Sequence, residues 1–130
     1  MFDYTVKTSK SLEEAISSLE ENLKSEGFGV LWNFDLTAKL QEKGQDFHTP
    51  FTVLEVCNQK GAQRVLSQNL LVGYFLPCKM VVYQDESETK IGMPRPTAMI
   101  NMLHNEELQT LAEDIETRLI RCIDQSVQVL

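Results

Sequence analysis

The amino-acid sequence predicts one α+β domain in which two long helices pack on the same face of a single sheet. Three observations predict it. The chain has 130 residues, which is the size of one domain. Its 42% apolar and 24% charged residues are typical of a globular protein rather than a disordered one. Hydrophobic periodicity gives the order strand, helix, four strands, helix, with two short helices inserted among the four strands. We therefore expect residues 1–130 to form a single domain.

The first strand and the first long helix are marked by local signals. Aromatic and β-branched residues alternate with polar ones over residues 2–7, which predicts a half-buried strand. Ser11 and Glu14 form a capping box, which predicts the start of a helix because each side chain satisfies a free backbone donor. Gly27 ends that helix, since glycine adopts the left-handed conformation without steric cost.

Residues 28–34 predict the second strand, with Val30, Trp32 and Phe34 on one face. A short helix over residues 36–43 follows it, capped by the preceding aspartate and ended by a glycine.

The second half of the chain predicts three more strands, a second short helix and the last long helix. The Pro94–Pro96 segment is expected to break regular structure, because proline cannot donate to a strand ladder. Asn105 caps the last helix, whose apolar stripe includes Cys122. The predicted ranges are strands at 51–57, 79–84 and 89–93 and a short helix at about 61–68.

The predicted strands are apolar on both faces. Met80 and Val82 alternate with Val81 and Tyr83 on the fourth strand, whereas a sheet covered on one face alone should alternate with polar residues. The long helices cover one face, and the inserted helices are expected to cover part of the other. We expect a second subunit or an apolar ligand to cover the rest, and hence a homodimer, because large exposed apolar patches mark interaction sites. The alternative is a monomer in which the inserted helices suffice.

The charge distribution excludes one class of partner. The net charge of −7 argues against nucleic-acid binding, because the phosphate backbone requires a basic surface. Residues 9–27 carry a net −3 and residues 105–130 a net −4, so the acidity belongs to the two long helices. We expect it to be the solvated side of each helix.

Location and membrane association follow from the ends and the cysteines. The N-terminal sequence does not resemble a signal peptide, and the longest uncharged stretch is shorter than the ~20 residues that span a bilayer. Three cysteines cannot all pair within one chain, and this odd number fits a reducing compartment. We expect a soluble cytoplasmic protein with no membrane contact.

Several common chemistries have no motif in this sequence. Glycine-rich phosphate loops, a nucleophile elbow, a zinc-binding H-E-x-x-H helix and a C-x-x-C pair are all missing. His48 and His104 are the two histidines, and their spacing does not require a metal, so we predict none. Arg95 lies between two prolines and is expected to be either a solvated turn residue or a ligand for an anion.

Two cysteines at predicted strand ends are the weak candidates for catalysis. Cys57 ends the third strand and Cys78 begins the fourth. A thiol close to Lys79, or to the N-terminal amides of the following short helix, would have a lowered pKa and be nucleophilic. The alternative is that both thiols are small buried hydrophobic groups, and Cys122 is expected only to pack.

Four phrases together resemble a known family. Their order and spacing over nearly the whole chain are similar to the bacterial and archaeal domain-of-unknown-function family numbered 302. The phrases are Gly27-Phe28-Gly29-Val30, Asp35-Leu36 with Lys39-Leu40, Val56-Cys57-Asn58, and Leu76-Pro77-Cys78-Lys79-Met80-Val81-Val82-Tyr83.

The resemblance implies an α+β fold similar to the TATA-binding-protein-like architecture, and no established activity. It carries over Cys57, Asn58, Pro77 and Cys78 as the residues of a candidate site. The sequence departs from the family pattern at Gln59, where proline is frequent, and at Arg95, where an acidic residue often precedes the proline.

The sequence therefore predicts a small homodimeric binding module. Its ligand would be small and partly apolar, and it would bind near the ends of the third and fourth strands, around Cys57, Asn58, Pro77 and Cys78. One alternative is a thiol-dependent enzyme or redox sensor that uses Cys57 or Cys78. Another is a structural interaction subunit without a pocket. The ligand and any cofactor are not identified by the sequence.

Overall fold

The computed structural model describes residues 1–128 and has an α+β fold built on one five-stranded antiparallel sheet. The strands are β1 (Asp3–Thr8), β2 (Gly29–Asp35), β3 (Phe51–Cys57), β4 (Cys78–Asp85) and β5 (Glu88–Pro94). Their order across the sheet is β1-β5-β4-β3-β2, so the first two strands of the chain form its two edges.

The helices follow the predicted order, with one addition late in the chain. They are α1 (Leu12–Ser25), α2 (Leu36–Glu42), α3 (Gln59–Gln68), α4 (Pro96–Ile100) and α5 (Glu106–Ser126), with 3-10 turns at Leu70–Tyr74 and Asn101–Leu103. The predicted class and element order are confirmed. Among residues 1–128, no helix is both long and apolar enough to cross a membrane.

The ends of the long helices are set by the predicted caps. The Glu14 amide donates to Ser11 Oγ over 3.2 Å, and the Ser11 amide donates to the Glu14 carboxylate over 3.3 Å. Gly27 follows α1 with a φ of 84°, a conformation that favours glycine. At the start of α5, the Leu108 amide donates to Asn105 Oδ1 over 3.1 Å. These local bonds satisfy backbone groups that the helices leave free.

The two long helices cover one face of the sheet, which we call the inner face. Helices α1 and α5 contact each other along this layer. The main core lies between them and the strands, and its buried members are Ala15, Leu19, Leu23, Phe28, Leu54, Val56, Met80, Val82, Ile91, Met93, Leu119, Cys122 and Ile123.

The remaining helical segments form a second, smaller core. Its buried members are Val65, Val72, Ile100, Leu108 and Ala112, which come from α3, the first 3-10 turn, α4 and the N-terminal half of α5. Helix α3 therefore packs against the helical layer. It does not cover the opposite side of the sheet, contrary to the expectation for this inserted helix.

The expectation that Val30, Trp32 and Phe34 share one face is wrong. The pairing of β2 with β3 shifts between Val30 and Trp32, which is a β-bulge at Leu31. Val30 consequently packs with the main core, while the two aromatic side chains point to the opposite face. One extra residue in a strand reverses the side-chain alternation beyond it.

The opposite side of the sheet, the outer face, is apolar at its centre. Aromatic pairs lie on it, with ring centroids 5.0 Å apart for Trp32 and Phe34 and 5.1 Å apart for Phe51 and Tyr83. Its remaining central residues are Val53, Val81 and Gly92, which are register partners on β3, β4 and β5. None of these residues belongs to either core, so the described helices leave the centre of this face without a packed layer.

The expectation that the Pro94–Pro96 segment breaks regular structure is wrong. Pro94 is the last residue of β5 and pairs with Asp3. Pro96 occupies the first turn of α4. Both positions suit proline, because Pro94 lies beyond the last β4–β5 pair, Val81 with Gly92, and the first turn of a helix does not need the missing amide donor.

Candidate functional site

The ends of β3 and β4 bring the four predicted site residues to one edge of the sheet. Cys78 opens β4 directly opposite Val56, and Cys57 closes β3 one residue later. Asn58 and Pro77 flank this pair in sequence. The structure thus places all four in one neighbourhood.

The two thiols of this edge point to different sides. Cys78 shares the inner face with the buried Met80 and packs against the main core. It also lines an apolar cavity of about 40 Å³ beneath α4 and α5. Cys57 instead shares the outer face with Glu55 and Val53. The side chains therefore do not converge on one ligand from the same face.

The environment of the thiols opposes nucleophilic chemistry. Burial raises the pKa of Cys57. Burial, followed by the negative charges of Cys57 and Glu55, raises the pKa of Cys78 to about 11. Both thiols therefore remain protonated near neutral pH, whereas the thiolate is the nucleophile. Cys122 is buried within the main core, in agreement with the packing role predicted for it.

Asn58 holds the local backbone. Its Oδ1 accepts a hydrogen bond from the Gly61 amide over 2.8 Å, which caps α3. Its Nδ2 donates to the Gly27 carbonyl over 3.3 Å. The side chain is thereby committed to joining the start of α3 to the turn after α1.

A groove of about 690 Å³ lies beside Pro77, at the strand-end edge of the outer face. We call it the strand-end groove. Its walls are Phe2, Leu31, Trp32, Tyr74, Pro77 and Met99, and its charged residues are Glu55 and Lys79. The large wall residues are unusually open to solvent: Trp32 is 58% exposed and Tyr74 is 82% exposed.

The elements around the groove explain why these side chains meet there. The bulge in β2 turns Trp32 to the outer face beside Glu55. The 3-10 turn after α3 carries Tyr74 to the same edge, just before β4 begins. The N-terminal Phe2 is fixed nearby because its carbonyl accepts a 2.7 Å hydrogen bond from the Arg95 amide. A concave, mostly apolar surface with few polar groups is the usual form of a small-molecule site.

The sequence of this chain matches a family model over almost its whole length. The model is described as the domain of unknown function DUF302, and it covers residues 4–126. The chain belongs to the DUF302 family.

The structural comparison agrees with that assignment. The fold is similar to the crystal structure of an uncharacterized conserved DUF302 protein from Bacillus stearothermophilus, with a TM-score of 0.94 and 59% sequence identity. The match covers 97% of this chain and 98% of the other. No curated protein matches the sequence. The resemblance and the fold inferred from the sequence are confirmed.

In this DUF302 protein Arg95 is neither a solvated turn residue nor free to bind an anion. Its Nε and Nη2 donate to Glu116 Oε2 over 3.2 Å and 3.1 Å. Thr97 donates to the other carboxylate oxygen from its amide and its hydroxyl, over 3.1 Å and 2.7 Å. Both expectations for Arg95 are wrong, because its guanidinium group forms an ion pair with the buried carboxylate of Glu116, 21 residues later in the sequence.

The histidines of the DUF302 chain lie apart from the groove. The His48 ring is 2.6 Å from Asp46 in the loop between α2 and β3. His104 ends the second 3-10 turn with a left-handed backbone. Within residues 1–128 no group of three or more histidine, cysteine, aspartate or glutamate side chains is arranged to hold a metal.

Sequence reasoning missed the aromatic walls of the groove. The alternation over residues 28–34 predicts that Trp32 shares a strand face with Val30, and the predicted ranges include no element at Tyr74. The available signal was the position of the single tryptophan next to Leu31 in a predicted strand. Adjacent large apolar residues in one strand cannot both face the core.

Proposed function

We propose that this DUF302 protein binds a small, partly apolar ligand in the strand-end groove. The observation that carries the proposal is the pair of exposed rings, Trp32 and Tyr74, lining one concave surface that also holds Pro77. Its volume of about 690 Å³ lies within the range of ~300–1,000 Å³ typical of ligand sites. Exposed aromatic rings in a groove offer a surface on which the ring of a ligand can stack, and large exposed apolar patches mark interaction sites.

Of the four residues predicted from the sequence, Pro77 contributes a groove wall. Cys78 lies behind it, in the apolar cavity. Asn58 and Cys57 support the edge rather than line the groove. The proposed site therefore keeps the predicted strand ends and moves its centre toward β2.

The single tryptophan makes the proposal directly testable. In an amide-correlation NMR spectrum, a ring compound such as benzyl alcohol should shift the Trp32 indole N–H signal in a saturable way. Tyr74→Ala should weaken the binding about two- to tenfold, because a ring pair contributes about 0.5–1.5 kcal/mol. Leu70→Ala removes an equally exposed apolar side chain from the same 3-10 turn but outside the groove, so it serves as the control. An unshifted indole signal with a set of ring compounds contradicts the proposal.

We also propose that the protein is a homodimer formed through the part of the outer face that lies away from the strand-end groove, around Phe51, Val53, Val81 and Tyr83. Five strands of six to eight residues, about 4.8 Å apart, make a face of about 20 Å by 20 Å. Its centre is Val53, Val81 and Gly92, and the Thr5 side chain of β1 packs over the glycine. Two sheets packed face to face are a common arrangement.

Charge favours a second copy as the occupant of this face. The acidic excess lies in the segments of α1 and α5, on the opposite layer. Two copies joined through their outer faces would hold these acidic helices far apart, which limits repulsion between chains with a net charge of −7.

The dimer is tested by analytical ultracentrifugation. The chain should sediment with twice the mass of its 130 residues, and Val81→Arg should sediment as a monomer with an unchanged circular dichroism spectrum. Ser17→Arg on the exposed side of α1 adds the same charge away from the outer face and should remain dimeric. A wild-type monomer at high micromolar concentration contradicts the proposal.

The two alternative functions fare differently. A thiol enzyme or redox sensor requires a lowered pKa at Cys57 or Cys78, and both pKa values are raised. A structural subunit without a pocket would bind none of the ring compounds.

The soluble cytoplasmic location and the likeness to the TATA-binding-protein architecture stay predictions.

A further inference from the structure

One row of side chains crosses the strand-end groove from β2 to β4. Trp32 is the register partner of Glu55, and Glu55 is the register partner of Lys79. The row thus presents an aromatic ring, a carboxylate and an ammonium group in that order. Neighbouring strands are about 4.8 Å apart, so the members of the row follow one another at about that spacing.

The two charged groups of this row are free. Within residues 1–128 neither Glu55 nor Lys79 has an ion-pair partner or a side-chain hydrogen bond, and they do not approach each other within 4.0 Å.

The other charged residues of the strands have partners: four form ion pairs, and the Asp3 and Asp35 carboxylates accept hydrogen bonds from the Thr5 hydroxyl and the Ala38 amide. Lys7 lies 3.4 Å from Glu88, and Lys90 lies 3.1 Å from Asp85. An unpaired acid and an unpaired base that face each other across strands, inside a groove, are therefore a local exception.

We propose that the ligand of the strand-end groove is a small ring-bearing zwitterion. This inference rests on the proposed function and names the ligand class of the same site. The ring of the ligand lies against the groove aromatics, its ammonium group binds Glu55, and its anionic group binds Lys79. The ammonium group would also lie beside the Trp32 ring, which attracts cations through its π face.

Complementarity of charge explains why a zwitterion is preferred over a simple cation or anion. A ligand with one charge satisfies one residue of the row and leaves the other to water. A ligand with both charges gives Glu55 and Lys79 one oppositely charged partner each, through charge-assisted hydrogen bonds. The charged groups must lie close together and close to the ring, because the row itself is short.

A matched series of probes tests the class. L-phenylalanine carries a ring and both charges, 2-phenylethylamine lacks the carboxylate, 3-phenylpropionate lacks the ammonium group, and benzyl alcohol has neither charge. Titrations follow the Trp32 indole N–H signal of the full chain. We expect phenylalanine to bind about tenfold more tightly than either singly charged analogue.

Substitutions assign each charge to its residue. Lys79→Met should make phenylalanine no better a ligand than 2-phenylethylamine, and Glu55→Gln should make it no better than 3-phenylpropionate. Lys7→Met removes the same charge from the same sheet at β1, outside the groove, and should leave the preference intact. Folding of each variant is checked by circular dichroism.

The outcomes separate this inference from the proposed function. Equal binding of all four probes overturns the zwitterion inference and leaves a groove for apolar rings. A preference that depends on one charge alone also overturns it. Failure of every probe to shift the Trp32 signal overturns the inference together with the proposed function.

Discussion

Replacing Glu116 by glutamine should destabilise the protein by about 2 kcal/mol at neutral pH. Glu116 is only 7% exposed, and its carboxylate accepts four hydrogen bonds, two from Arg95 and two from Thr97. Glutamine has nearly the same shape and can still accept from Thr97, so the substitution removes mainly the charge that faces Arg95.

The magnitude follows from the partners of the carboxylate. A hydrogen bond to a charged group contributes about 1.5–3 kcal/mol, and two run from Arg95 to Glu116 Oε2. Water screens the pair in part, because the Arg95 side chain is 33% exposed, so we expect about 2 kcal/mol rather than the sum. The glutamine side chain also places an N–H donor where an oxygen of the carboxylate accepted hydrogen bonds.

The pH dependence has a definite sign. Burial by itself raises the pKa of Glu116, but the hydrogen bonds from Thr97 and Arg95 outweigh it and the net pKa is lowered. A lowered pKa in the folded state means that the ionised form stabilises the fold. The stabilisation is complete above the unfolded-state pKa of about 4.3 and disappears as the pH falls through the folded-state pKa. The difference in free energy of unfolding between the wild type and Glu116→Gln should therefore be constant from pH 7 to about 5 and should disappear below about 4.

The assay is urea unfolding followed by circular dichroism at a series of pH values. Glu113→Gln is the control, because it makes the same substitution at an exposed position of α5 and should change the free energy of unfolding by less than about 0.5 kcal/mol. Arg95→Gln alone and combined with Glu116→Gln completes a double-mutant cycle. The reasoning would be refuted by a difference in free energy of unfolding that does not decrease at acidic pH. A double-mutant cycle that gives no coupling energy between Arg95 and Glu116 would refute it as well.

Three further predictions address the strand-end edge and the first strand. Asn58→Ala should lower the free energy of unfolding by about 1 kcal/mol in urea titrations, whereas Asn58→Asp should retain most of it by keeping the cap acceptor; equal losses would contradict the capping role. Alkylation of the native protein across a pH series should show no inflection below pH ~8.5 for Cys57 or Cys78, since burial raises both pKa values; a plateau near neutral pH would restore the thiol enzyme. The hydrogen bond to Asp124, then burial, raises the pKa of Tyr4 to about 12, so one of the three tyrosines should ionise later than the others in an absorbance titration. Asp124→Asn should lower that pKa, and three overlapping transitions in the wild type would count against the bond.

Much of the local structure could be predicted because its causes lie within a few residues. The capping box at Ser11, the left-handed glycine at position 27 and the cap at Asn105 each act on backbone groups two to four positions away. The apolar stripe of α5 is likewise a property of its own periodicity. The order of elements and the two-layer packing that these features predict are confirmed.

The candidate site could be predicted only in part. The strand ends at Cys57 and Cys78 were found because they sit next to loops, and the pairing of β3 with β4 does bring them together. The sequence did not predict which face each thiol takes, because the bulge and the register of strands depend on contacts between distant segments. It also assigned Asn58 to ligand binding, whereas the side chain caps a helix.

The sequence by itself determined the helices, their caps, the acidic sides of the long helices and the family. The tertiary structure alone decided that a single extra residue in β2 turns Trp32 outward, into one row with Glu55 and Lys79, and that Arg95 meets Glu116. The physical reason is range. Helix ends are fixed by hydrogen bonds within one turn, whereas strand register and buried ion pairs are fixed only when segments far apart in the chain are packed together.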